Sequence, residues 1–104
     1  VTTTTDRVAW WKRPETTYRV LVQARRCGET FTFTELAHKV ASHEHVKLSR
    51  AESACGRAKK LRAIVRVLPD RPDGQHVFRL TIIGRRLLVA GALEADRLDR
   101  WDDE

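Results

Sequence analysis

The chain lacks methionine altogether and has little cysteine, proline or glycine, with two, three and five residues in 104. Cys27 and Cys55 stand far apart, without the paired spacing of a zinc site, and two cysteines make a poor disulfide framework for a secreted domain. They are expected as buried thiols. His38, His43, His45 and His76 stand beside no cluster of thiols and carboxylates, so no metal site and no cofactor is expected. No apolar run approaches the roughly 18 residues that a membrane span needs. The start, Val1, four threonines, Asp6 and Arg7, has no basic segment followed by an apolar one, so nothing resembles a secretion signal. The expectation is a cytoplasmic chain without a membrane partner. With no methionine, Val1 reads as an alternative start, which would make residues 1 to 104 the whole product. Also missing are a phosphate-cradling glycine loop, a nucleophile with a base at motif spacing, and paired carboxylates outside the C-terminal tail. An enzyme is not expected.

Charge of one sign dominates until the end of the chain. The net charge is +6, yet residues 94 to 104 hold six acids and two arginines, which leaves 18 basic and 8 acidic residues before them. That net of +10 over positions 1 to 93 favours a polyanionic partner. At 41% hydrophobic and 33% charged residues, the length suits one modest core and one domain.

The pattern along the chain predicts α+β structure. Residues 1 to 16 read as an N-terminal extension containing Trp10 and Trp11. An amphipathic helix is expected from Thr16 or Thr17 through Tyr18, Leu21, Val22 and Arg25, closed by Gly28 as a left-handed cap. Phe31 and Phe33 alternate with threonines, the period of a short strand. Thr34 is expected to cap a second helix carrying Leu36, Ala37 and Val40. Residues 42 to 48 read as a turn. Ser49 and Glu52 then match a capping box that would open a third helix, 49–62. Its inner face would carry Ala51, Ala54, Cys55, Ala58 and Leu61, and Arg50, Ser53, Arg57 and Lys60 would line one side of the other face. Ile64 to Leu68 and His76 to Leu80 suit two strands of a hairpin with a turn-rich tip at 69–74. Thr81 would cap a last helix carrying Ile83, Leu87 and Leu88, weakened by Gly84 and Gly91 unless packing compensates. Residues 91–104 would be its acidic end.

Helix, short strand, helix, turn, helix, hairpin, helix is the layout of a winged helix-turn-helix domain: a three-helix core, a small antiparallel sheet or wing, and a C-terminal helix. Such a third helix fits the major groove of duplex DNA, about 12 Å wide, if its outer side offers donors to base edges and cations to phosphates. The candidates are Arg50, Ser53, Arg57 and Lys60 along that side, with Arg57 for a bidentate contact to guanine and Ser53 for a base or phosphate, joined by Ser49, and Lys47 and Lys59 for the flanking backbone. The wing adds Arg71 for an adjacent minor groove, with Arg66 and Arg79 on the strands.

The segment Phe78-Arg79-Leu80-Thr81-Ile82-Ile83-Gly84 resembles the segment that follows the wing in MarR-like and PadR-like transcriptional regulators, where aromatic-x-Leu-Thr-x-x-Gly recurs. The hairpin tip ending in Asp73-Gly74 and the basic helix beginning Ser49-Arg50-Ala51 are similar too. The resemblance covers roughly residues 17–90. Those families often have a glycine at the end of the third helix, whereas this chain has Arg62-Ala63, and leucines are common where Ala54 and Ala58 stand here. The resemblance implies a homodimer built by segments outside the core, for which Trp10, Trp11, Leu93, Leu98 and Trp101 are the candidates. The expected function is sequence-specific binding of double-stranded DNA in transcription regulation. The rival expectation is a winged helix that binds a protein partner, as an interaction module or small inhibitor.

Overall fold

The computed structural model describes residues 9–91. Leu93, Leu98 and Trp101 lie outside the described residues. The described residues form an α+β fold, with four helices and one three-stranded antiparallel sheet. A single 3-10 turn, Trp10–Lys12, leads into α1 (Pro14–Cys27), β1 (Phe31–Thr32), α2 (Phe33–Glu44), α3 (Leu48–Lys60), β2 (Ile64–Val67) and β3 (Val77–Leu80). A fourth helix, α4, covers residues 82–91. The element order matches the one expected from the sequence, while several boundaries differ for identifiable reasons.

Helix α1 begins at Pro14, earlier than Thr16, because proline lacks the N–H that a first helical position leaves unpaired and already holds a helical φ. Gly28 ends it with φ 112° and ψ −162°, a positive φ but not the left-handed helical cap that was expected. Phe33 belongs to α2 and not to a strand. Thr32, not Thr34, is the cap: its Oγ1 accepts from the Glu35 N–H at 3.1 Å, and its own N–H donates to Glu35 Oε2 at 3.2 Å. This reciprocal capping box satisfies two helix-end donors. It sets the start of α2 two residues before the expected one.

The Ser49–Glu52 capping box is absent. Helix α3 opens at Leu48 with Lys47 as its N-cap and no side-chain cap bond, so Ser49 already lies inside the helix. Its backbone carbonyl accepts the Ser53 hydroxyl at 3.1 Å. The far end lies at Lys60 rather than at residue 62. There Arg62 adopts φ 62°, its N–H reaches the Lys59 carbonyl at 3.0 Å, and the Ala63 N–H reaches the Ala58 carbonyl at 3.0 Å. That bond pair is a Schellman closure with arginine where glycine is usual. Leu61 consequently sits beyond the helix, 38% exposed, and not on its inner face. Helix α2 also closes on a left-handed residue: His45 has φ 55° and ψ 44°, its N–H bonds the Ala41 carbonyl, and the Val46 N–H bonds the same carbonyl at 3.1 Å. Residues 42–44 are therefore helical, and the turn into α3 shrinks to 45–47.

The core lies where the helices meet the sheet. Val20, Leu21, Phe31, Leu36, Val40, Ile64 and Phe78 are buried, and Ala51, Ala54, Cys55 and Ala58 bring α3 close against its neighbours. Trp10 and Trp11 are half-buried and pack against this core, with their turn seated on α3 and α1. Strand β3 is central, pairing with β1 (Phe31 to Phe78) and β2 (Ile64 to Leu80, Val65 to Arg79, Arg66 to Phe78). Leu68 falls outside β2 and is 74% exposed.

The segment Leu80-Thr81-x-x-Gly84 docks α4 onto the end of α3. Thr81 donates its N–H to the Ala63 carbonyl at 3.0 Å, its Oγ1 lies 2.6 Å from the Arg62 carbonyl, and that oxygen accepts the Gly84 N–H at 3.1 Å. Thr81 is thus the cap that the sequence predicts. A Cβ at Gly84 would run into the Ala63 carbonyl, and one at Gly91 into the Tyr18 ring. Close packing compensates for both helical glycines. On α4, Leu88 is buried, whereas Ile83 and Leu87 are substantially exposed.

Candidate nucleic-acid interface

Helix α3 spans 13 residues, about 20 Å at 1.5 Å per residue. Its alanine-rich side is buried, which turns Ser49, Arg50, Ser53 and Lys60 to solvent. Lys47, at the N-cap, is exposed too. Gly56 lies among them, and a Cβ built there meets nothing within 4 Å. The middle of this face is therefore low, with cations on its margins. Arg57 is only half-exposed, and its Nε is buried without a hydrogen-bond partner. Its stem is part of the packing, unlike that of Arg50. Lys59 lies elsewhere: its Nζ stands over the Phe78 ring, 5.6 Å from the centroid, so it faces the sheet.

Among the described residues, no ion pair engages Lys47, Arg50 or Lys60. The cations of the hairpin are arranged differently. Arg66 holds Asp70 through two bonds, Nε to Oδ1 at 3.3 Å and Nη2 to Oδ2 at 2.7 Å. His76 Nδ1 lies 3.2 Å from the same carboxylate. The bond from Arg66, reinforced by His76 and by both groups' charge, holds the Asp70 carboxyl below the usual aspartate range. Arg71 reaches across to α2 and binds Glu35 Oε1, the same carboxylate that caps that helix. The Glu35 side chain therefore bridges the hairpin tip and the start of α2.

Strand register separates the other two strand arginines. Arg66 lies opposite Phe78 and Arg79 opposite Val65. Directly opposed residues share a face and neighbours along a strand alternate. Arg66 thus shares the Phe78 face with Lys59, and Arg79 is on the other face of the sheet. The sequence-predicted set is therefore split into the α3 face (Lys47, Ser49, Arg50, Ser53, Lys60, with Arg57 half-sunk), a sheet-facing pair (Lys59, Arg66), a tethered tip (Arg71) and an isolated Arg79.

The tip itself is ordered by local bonds. The Gly74 N–H bonds the Arg71 carbonyl at 2.8 Å, the Arg71 N–H bonds the Gln75 carbonyl at 3.0 Å, and Asp73 Oδ1 accepts the Gln75 N–H at 3.0 Å. Between the tip and α2 runs a cleft floored by Phe33 and Phe78, whose ring centroids are 6.1 Å apart, and bordered by Lys59, Gln75 and His76.

Two participants escaped the sequence reading. Glu35 is not among the sequence candidates, and Asp70 figures there only as part of the turn-rich tip. Thr32-x-x-Glu35 and Arg66 with Asp70 at i and i+4 were the available signals. The thiols offer little chemistry: burial pushes Cys55 up to about 12, and burial, partly offset by Lys39, raises Cys27. Among the described residues no three His, Cys, Asp or Glu side chains come together as a metal site, and no helix is long and apolar enough to cross a membrane. Compared with known protein families, curated proteins and solved structures, the chain gives no match.

Proposed function

We propose that this chain is a winged helix-turn-helix protein that binds double-stranded DNA in a sequence-specific way, as a cytoplasmic homodimer regulating transcription. Helix α3 enters the major groove and the β2–β3 hairpin serves as the wing. The observation that carries this reading is the outer face of α3, where Lys47, Arg50 and Lys60 are exposed and free of ion pairs among the described residues. Unpaired cations can neutralise phosphates without first breaking an internal bond, and each phosphate engaged steepens the salt dependence by about 0.9 in log units. The low centre at Gly56 and Ser53 lets the helix axis approach base edges, and Arg50 has the reach for a bidentate contact to guanine. Among the wing cations, Arg66 and Arg71 contribute only after exchanging a carboxylate for a phosphate. The terminal segments with Trp10, Trp11, Leu93, Leu98 and Trp101 remain the proposed dimer contacts, which would present two α3 helices to an inverted repeat.

The test is a gel shift of the full chain against random-sequence duplex and a selected duplex pool at two salt concentrations. Salt-sensitive binding that enriches an inverted repeat is the expected outcome. Absence of a shift at low salt would remove the DNA reading. It would favour the second one, a protein-binding module, for which the exposed Ile82, Ile83, Leu87 and Val89 of α4 supply the apolar surface.

A further inference from the structure

Away from α3, helices α1 and α4 enclose a groove of about 480 Å³ lined by Tyr18, Val22, Arg25, Arg26, Leu88 and Val89. Its floor is apolar and one end is cationic. Arg25 and Arg26 are both exposed and neither takes part in an ion pair among the described residues. Arg85, one turn before Val89 on α4, is exposed as well. The composition asks for an occupant that is acidic along its length and apolar at intervals.

One segment of this chain has that chemistry. Residues 94–104 carry Glu94, Asp96, Asp99, Asp102, Asp103 and Glu104, with Leu98 and Trp101 between them. The direction of the chain decides which copy supplies it. Gly91 abuts Tyr18, whereas Leu88 and Val89 line the groove together with Val22, Arg25 and Arg26, so α4 runs antiparallel to α1. The chain therefore leaves at the Tyr18 end, heading away from the arginines. The two positions before Glu94 are Ala92 and Leu93, neither of them a usual turn residue.

We propose that the groove between α1 and α4 receives the acidic C-terminal segment of a second copy of this chain, with Arg25 and Arg26 pairing with its carboxylates and Leu98 or Trp101 covering the apolar floor. The exchange is reciprocal, as a two-fold dimer requires. It deepens the homodimer part of the function proposed above and is independent of whether the dimer binds DNA.

A charge swap in the full-length protein tests it. One variant carries Arg25→Glu and Arg26→Glu, a second carries Glu94→Lys, Asp96→Lys and Asp99→Lys, and a third carries all five changes. Mass is measured by light scattering and sedimentation at low salt, with circular dichroism as the check on folding. The wild-type chain is expected to be a dimer and the first two variants monomers, with at least about a tenfold weaker self-association. An equimolar mixture of the first two should dimerise again, because both exchanged contacts are then complementary, and so should the third variant alone. A monomeric wild type overturns the proposal, as does a dimer indifferent to all three variants or a mixture that stays monomeric. If either reversal fails to fold, Arg25→Gln with Arg26→Gln and Glu94→Gln with Asp99→Gln replace it, and an unchanged dimer then overturns the proposal. DNA binding scored separately by gel shift keeps a failure here distinct from a failure of the DNA reading.

Discussion

The outer face of α3 and the β2–β3 hairpin both display arginines, yet they hold them in opposite ways. On α3, Arg50 projects from a helix whose other side is alanine, and among the described residues no carboxylate pairs with it. On the hairpin, Arg66 is bonded twice to Asp70 and Arg71 is bonded to Glu35 of α2. A count of basic residues treats the two regions as equal. Availability separates them, because a cation already in a bonded pair must exchange one anion for another, whereas a free one gains the whole interaction. Arg71 acts first as a fastener that holds the tip against α2, and Arg66 as one that ties the tip to its own strand.

The most severe way to break the comparison is to disturb the junction on which both regions hang. Gly84→Ala forces a methyl group into the Ala63 carbonyl and should destabilise the fold by at least about 2 kcal/mol. A thermal melt checks it, and an unchanged midpoint would mean that α4 docks differently. Next in size, Arg50→Ala combined with Lys60→Ala should weaken duplex binding by about tenfold or more and flatten its salt dependence. Arg71→Ala should weaken binding less than about threefold, since the lost contact competes with Glu35. Equal losses in the two gel-shift titrations would dissolve the distinction.

Glu35→Gln sharpens it further. The substitution should lower stability by about 1 kcal/mol by weakening the capping box and its tie to the tip, while tightening binding at low salt as Arg71 is released. Smaller still, His45→Gly and Arg62→Gly relieve left-handed backbone at the two helix ends that flank α3, and each should raise stability by about 0.5 kcal/mol. A fall in the melting temperature of either variant would mean that the side chain does more than occupy the turn.

The subtlest prediction concerns pH. Since Asp70 is held below the usual aspartate range by Arg66 and His76, its contribution to stability is complete above the unfolded value. It is lost as pH falls through the lower folded one. Carboxyl carbon shifts from NMR should place that titration, and Asp70→Asn should abolish the accompanying changes in Arg66 and His76 resonances.

The helix faces were legible because burial follows a period of 3.6. Ala51, Ala54, Cys55 and Ala58 were assigned inward and are buried. Helix starts were less legible, because the same four-residue signature occurs twice. Thr32-x-x-Glu35 is a capping box, but Ser49-x-x-Glu52 is not, since Leu48 joins the helix one residue earlier and leaves Ser49 inside it. The aromatic alternation at Phe31 and Phe33 suggested a longer strand, and the cap at Thr32 cut it short. The ends of α2 and α3 lacked a usable signal, because histidine and arginine occupy left-handed positions that glycine normally marks. Least legible was the state of the cations. Nothing in the sequence links Arg71 to Glu35, which are 36 residues apart, and Arg66 and Arg79 look alike until strand register assigns them to opposite faces.

The sheet constrains how copies of this chain can join. Strand β3 is bonded on both sides, and β1 is only two residues long, which leaves the outer edge of β2 as the one extended row of backbone groups among the described strands. Arg66 sits in the middle of that strand and carries Asp70 with it, so a foreign strand adding there would have to accommodate a charged pair. Edge strands guarded in this way resist open-ended stacking. The proposed pairing of two copies uses helix surfaces instead, where a contact can close on itself and stop.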